Sequence, residues 1–197
     1  MKKTLTFQYL LLAAGLLAGS QYSIAQAPSL PLMKNPILNK NVCPFANKKI
    51  NPDSTLRINP AYNHTINPMS DSQLNPDSNA MLDPRKNSVI NPHTNFAINP
   101  LNNPTVHPFM NQNVRPLFEF DGENTLIGYI ARANQSVMNC FDLKGNWTGY
   151  YVLANGNNTY LQFDLYDKWT GIFLCDNLNE GFNQFNKALA WTKKHCN

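Results

Sequence analysis

The sequence predicts an all-β repeat protein in two parts: an octapeptide-repeat β-solenoid or extended array, then a β-hairpin meander of about eight short strands. Two periodicities carry this expectation. A proline falls at every eighth position from Pro36 to Pro116, eleven times without a slip. A second period then takes over, with Phe120, Phe141, Phe163 and Phe185 spaced by 21, 22 and 22 residues. Repeats this strict set the architecture, because each unit is one structural element that buries its apolar face only against its neighbours. They also lower the expectation of an enzyme, since repeated units supply surfaces more often than one reacting centre.

The N-terminal segment reads as a secretory signal over residues 1–25. Lys2 and Lys3 make a basic start, and Leu10 to Leu17 form a short apolar run of the kind a signal peptide carries. Cleavage is expected after Ala25, or alternatively after Ala27, where Pro28 would hinder a protease. No later stretch is long and apolar enough to cross a bilayer as a helix. The formal charge of +4 falls by two when Lys2 and Lys3 are removed, so little basicity is left to argue for a nucleic-acid partner.

After a linker at 26–33, the array at 34–116 repeats the unit I-N-P-x-x-N-x-x. Clear copies begin at Ile50, Ile58, Ile66, Ile90 and Ile98, and Leu74, Leu82, Val42, Val106 and Val114 replace the Ile elsewhere. Proline fixes φ and pushes the preceding Asn toward an extended conformation. Asn side chains bond nearby backbone and favour turns. One buried Ile contributes roughly 2–3 kcal/mol, whereas ordering eight residues costs roughly 8–16 kcal/mol. A unit therefore stacks on its neighbours as a β-solenoid, with two units per coil, or stays extended as a Pro/Asn-rich stalk.

Residues 117–197 hold four copies of a hairpin unit. Asp121, Asp142, Asp164 and Asn186 follow the Phe residues, and Leu126, Trp147, Trp169 and Trp191 stand six places after each Phe. The Asp is expected to accept turn N–H bonds. The glycines Gly128, Gly149 and Gly171 are expected to lie under cross-strand aromatics. Lys193 breaks the Gly column in the last copy, as befits a terminal cap. With all three Trp and many Phe and Tyr, this half is expected to be the better-folded domain.

Four cysteines, Cys43, Cys140, Cys175 and Cys196, are disulfide candidates in an exported protein, with three connectivities open. If all four pair, one bridge joins the two halves, because only Cys43 lies in the array. No pair has the close spacing of a zinc site. The four His residues, His64, His93, His107 and His195, fall in no metal or catalytic motif, and no nucleophile or phosphate-loop motif occurs. One Asp per hairpin does not converge the six or more oxygens that calcium takes. The Trp column, Trp147, Trp169 and Trp191, is the best candidate binding feature: facing solvent, it would stack on sugar rings, and packed inward it would be core.

The F-D-x(4)-W-T-G pattern over residues 117–197 resembles bacterial repeat modules built from Gly-aromatic hairpins, the WG-type and cell-wall-binding repeats. The I-N-P-x-x-N units are similar to octapeptide arrays of secreted bacterial proteins. Neither resemblance implies an activity or a ligand residue. The expectation is a secreted, non-enzymatic protein with a structural or adhesive role at the cell surface, outside the cell or in the periplasm. The alternative is a carbohydrate-binding module using the Trp column, and a hydrolase comes third. The expected partner is a glycan or a cell-surface component, with no nucleic acid, cofactor or metal.

Overall fold

The structure, a computed structural model, describes residues 26–154, 158–178 and 181–196, the last four as backbone alone. The expected signal segment lies outside these residues. The hairpin half forms eight antiparallel strands: β1 Leu117–Phe120, β2 Leu126–Arg132, β3 Val137–Asp142, β4 Trp147–Leu153, β5 Tyr160–Phe163, β6 Trp169–Asp176, β7 Gly181–Phe185 and β8 Trp191–Cys196. Each pairs with the next, and β8 returns to pair with β1 through Phe118–Cys196 and Phe120–Lys194, which closes the meander into a barrel. Closure removes the unpaired edges that an open meander would expose.

The turns follow from the Phe-Asp signature. Asp142 Oδ1 accepts from the N–H groups of Lys144 and Asn146, both at 2.8 Å. Asp121, Asp164 and Asn186 make the same pair of bonds in their own turns. The fourth residue after each Phe has positive φ (Asn124, Gly145, Asp167 and Leu189), and the ladder shifts register at each Phe. The glycine expectation is corrected. A Cβ on Gly128 or Gly149 would meet the carbonyl oxygen of Phe141 or Phe163 at 2.7 or 2.6 Å, and one on Gly171 would meet the Lys187 side chain. Backbone and an aliphatic stem, rather than aromatic rings, occupy the space.

Alternation along the strands gives the sheet two apolar faces. Ile130, Met138, Cys140, Tyr151, Tyr160, Leu174 and Phe182 pack together. They fill the bore: Tyr151 on β4 reaches Gln184 on β7, and Arg132 on β2 reaches Tyr160 on β5, across strands that are not neighbours. An eight-stranded barrel is wide enough to be filled this way. The outer face carries Tyr129, Phe141, Tyr150, Phe163, Phe173 and Phe185, and these pack with Ile66, Leu82, Ile90, Ile98 and Phe109 of the octapeptide array.

The array is therefore a belt around the barrel. Lys34 lies over Phe118 of β1, Phe45 packs on Trp191 of β8, and Asn183 of β7 donates to the Ile50 carbonyl at 3.2 Å. Cys175 of β6 and Thr159, just before β5, reach the Ile66 carbonyl. His93 packs on Trp147 of β4, Asn139 of β3 donates to the Ile98 carbonyl at 2.9 Å, and Phe109 packs on Tyr129 of β2. The chain thus passes the strands in reverse order and enters β1 after Pro116.

Among the described residues no strand lies in 34–116, so neither the β-solenoid nor the free stalk forms. The Ile column had one apolar side chain per unit to bury, and the barrel wall supplies the partner that a solenoid would have taken from its own coils. Each octapeptide is two four-residue turns, and most turns are opened by an Asn, with Cys43, Thr55, Asp71, Asp83 and His107 standing in for it. Tyr62 and Asn63 donate to the Asn59 carbonyl at 3.0 and 2.9 Å, and Ile66 donates to that of Asn63 at 3.4 Å. The side chains staple these turns. Asn95 Oδ1 accepts from the Ala97 N–H at 3.2 Å, and its Nδ2 donates to the Val89 carbonyl of the preceding unit at 2.8 Å. The same pair of bonds recurs at Asn39, Asn47, Asn63, Asn79, Asn87, Asn103 and Asn111.

The expected disulfide framework is not built: no bond joins Cys43, Cys140 and Cys175. Strand alternation explains this, since Cys140 faces the bore and Cys175 faces the belt. Cys43 sits at the β1–β2 turn, with its Sγ 3.8 Å from Asn124 Oδ1. The Cys196 side chain lies outside the described residues.

Candidate functional site

The belt's repeat divides its own residues into buried and presented. The aliphatic residue and the Pro of each unit are buried almost throughout, the residue before the Pro is buried in most copies, the second Asn is half-buried, and the variable positions point outward, with Phe109 the exception. Those outward positions vary between copies and hold apolar side chains in nearly every unit. Ile37, Leu38, Phe45, Leu56, Tyr62, Met81, Val89, Phe96, Leu101 and Met110 are all exposed. Apart from Phe45, which packs on Trp191, they are not needed to hold the belt, because the inward Ile column and the Asn staples already do so. A scattered apolar side chain on a surface is ordinary, but a repeated display rimmed by polar groups marks an interaction surface.

The Trp column is placed differently. Trp147 and Trp169 are only 8% and 9% exposed. The His93 ring lies 5.2 Å from Trp147, and the Lys187 ammonium lies 4.2 Å above Trp169. Trp191 is half-buried beside Phe45, at 5.0 Å. Trp147 and Trp191 are thus seams between barrel and belt and Trp169 is capped by Lys187 of the β7–β8 turn, so the column is not a ladder open to solvent. Sequence reasoning missed the belt surface because the variable octapeptide positions carry no motif. Their variability, set against the fixed Ile, Asn and Pro, was the signal available.

Two polar clusters are spent on holding the molecule together. Asp167, in the β5–β6 turn, accepts from Tyr150 Oη at 2.6 Å and from Asn91 Nδ2 at 2.9 Å, with His93 Nε2 3.6 Å away. Burial, and then the bond to Asp167, push the Tyr150 phenol far above its usual range, so it remains a neutral donor. This cluster clasps the belt to the barrel. In the bore, Tyr151 Oη donates to Gln184 Oε1 at 2.9 Å and accepts from Gln162 Nε2 at 3.2 Å, while Thr170 and Thr192 close the network. Burial likewise drives the Tyr151 phenol well upward. Among the described residues no group of three His, Cys, Asp or Glu is placed to hold a metal ion.

The ends of the belt meet at a cleft of about 390 Å³, lined by Gln26, Pro28, Lys34, Gln112, Arg115 and Phe118 among others. No helix among the described residues is long and apolar enough to cross a membrane. Neither a protein-family model, a curated protein nor a solved structure matches the chain.

Proposed function

We propose that this chain is a secreted, non-enzymatic repeat protein with a structural or adhesive role at the cell surface or outside the cell, and that the outer face of the belt is its working surface. The observation that carries the reading is the division of labour within each octapeptide. The residues that fold the belt point inward, and the variable positions hold apolar side chains such as Ile37, Leu38 and Tyr62 toward solvent. A repeated apolar display rimmed by polar groups is the kind of surface a partner would cover. Glycan binding through the Trp column would first require the belt to lift from Trp147, which disturbs the core that the two halves share, and Lys187 to leave Trp169.

Beads coated with the folded protein test the adhesive role on intact cells. Retention of the beads, lost in the triple variant Ile37→Ser, Leu38→Ser, Tyr62→Ser with an unchanged circular dichroism spectrum, is the expected result. Equal retention of variant and native beads, or retention of neither, rejects it. Mass spectrometry of protein recovered from the medium is expected to place the mature N-terminus at Gln26 or, after the alternative cut, at Pro28. Recovery of the whole chain from the cell interior alone counts against export.

A further inference from the structure

The belt's outward charge is unevenly spread. Residues 32–57 contain Lys34, Lys40, Lys48, Lys49 and Arg57 against a single acid, Asp53, whereas in 58–116 Asp71, Asp77 and Asp83 balance Arg85, Lys86 and Arg115. In the balanced part, Arg85 and Lys86 are paired with Asp83 at 2.9 and 3.4 Å. Among the described residues Lys40, Lys48, Lys49 and Arg57 make no ion pair, and all four are exposed. The same arc exposes Ile37, Leu38, Phe45 and Leu56, each more than half accessible. It follows the β1, β8 and β7 side of the barrel, through Lys34 on Phe118, Phe45 on Trp191 and Ile50 on Asn183.

We infer that residues 32–57 form a docking surface for an anionic lipid bilayer. This rests on the adhesive reading above and names one partner for the same surface. Cations close to an anionic leaflet are attracted within a Debye length, each adding a similar increment. The apolar side chains between them would enter the headgroup–acyl boundary, and long Lys stems can cover apolar surface while their ammonium groups stay at the phosphate level. A soluble anionic polymer would engage the cations but offers no apolar depth for Ile37, Leu38 and Leu56. The local backbone suits shallow burial, because the N–H groups of Ile37, Leu38, Asn39, Asn41, Cys43, Ala46, Asn47, Lys49 and Ile50 are already bonded within the belt. A polar backbone group left unpaired is what excludes irregular structure from lipid.

The test is sedimentation of the full mature chain with phosphatidylglycerol–phosphatidylcholine vesicles, with pure phosphatidylcholine vesicles as comparison. Binding to the anionic vesicles alone, released by about 0.5 M salt, is expected. The pair Lys48→Glu, Lys49→Glu should lower the partition coefficient by about tenfold or more. The pair Ile37→Ser, Leu38→Ser should lower it clearly while leaving binding to soluble dextran sulfate unchanged. The control pair Met81→Ser, Val89→Ser should change nothing. No binding to anionic vesicles, equal binding to both vesicle types, or indifference to the charge reversals would overturn the inference. So would a loss in the control pair equal to that in the Ile37, Leu38 pair. Vesicle failure with bead retention intact removes the lipid partner and leaves the adhesive role standing; failure of both removes both.

Discussion

Asparagine does in the belt what only a carboxamide can do, accepting from its own turn and donating to the turn before. Asn95 is the plain case, bonded to the Ala97 N–H and the Val89 carbonyl. Asn95→Asp keeps the acceptor, loses the donor and brings a carboxylate against a carbonyl. It should lower stability by about 1–2 kcal/mol, read as a shift in the urea midpoint, and no shift would mean that the staple contributes nothing. The natural departures from Asn are informative. Asp83 cannot donate to the preceding turn, and it is instead held by Arg85 and Lys86. The Arg85 guanidinium keeps the Asp83 carboxyl below the usual carboxylate range. A lowered native value means that the unfolded chain takes up the proton first. The stabilisation is therefore complete above about pH 4 and is lost as pH falls through the native value. In Asp83→Asn, the drop in urea midpoint from pH 7 to pH 3 should shrink, and an unchanged drop would show that the pair carries no linkage. The Asn and Asp columns were legible because each role is local, a side chain bonding two to seven residues away in its own sequence.

The hairpins show how a few fixed residues set an element. Phe ends one strand, Asp caps the turn, a positive-φ residue follows, and the returning strand carries a Gly in three of the four copies. Gly149 has φ +157 and leaves only 2.6 Å between an added Cβ and the Phe163 carbonyl oxygen, whereas Gly122 has nothing within 4 Å. Gly149→Ala should cost about 2–4 kcal/mol and Gly122→Ala less than about 0.5 kcal/mol by chemical denaturation. Equal costs would show that the β4–β5 approach is looser than it looks. The eight strands were legible from period and turn chemistry. The facing of Trp147 and Trp169 was not, because the W-T-G-Φ-Φ run places apolar residues on both faces of a barrel that is buried on both.

At the scale of the whole molecule, the two periodicities are partners. The barrel wall needs a cover for Phe141, Phe163, Phe173 and Phe185, and the belt needs a wall for its Ile column. Nothing in either repeat announces the other, since an Ile every eight residues reads equally well as a self-stacking seam. Residues 117–197 expressed alone should bind a hydrophobic dye or aggregate, and 26–116 alone should give no β-sheet circular dichroism. Mixing the two should restore the native spectrum and suppress dye binding; a monomeric, dye-silent 117–197 fragment would show that the barrel does not depend on its cover. The cysteines follow from the same arrangement, because a wall with two buried faces sends Cys140 and Cys175 to opposite sides.

The direction in which the belt runs has a consequence for how the molecule is made. Its residues leave the ribosome before any of the surface they will wrap, and Ile50 meets Asn183 across 133 residues of chain. Because the belt's contacts with the barrel join residues so far apart in sequence, the protein should complete its fold only after the last strand is released. Until then the leading half is a run of short turns whose inward Ile column has no wall to pack against. Such a chain stays threadable for the whole of its synthesis, which suits the export proposed above.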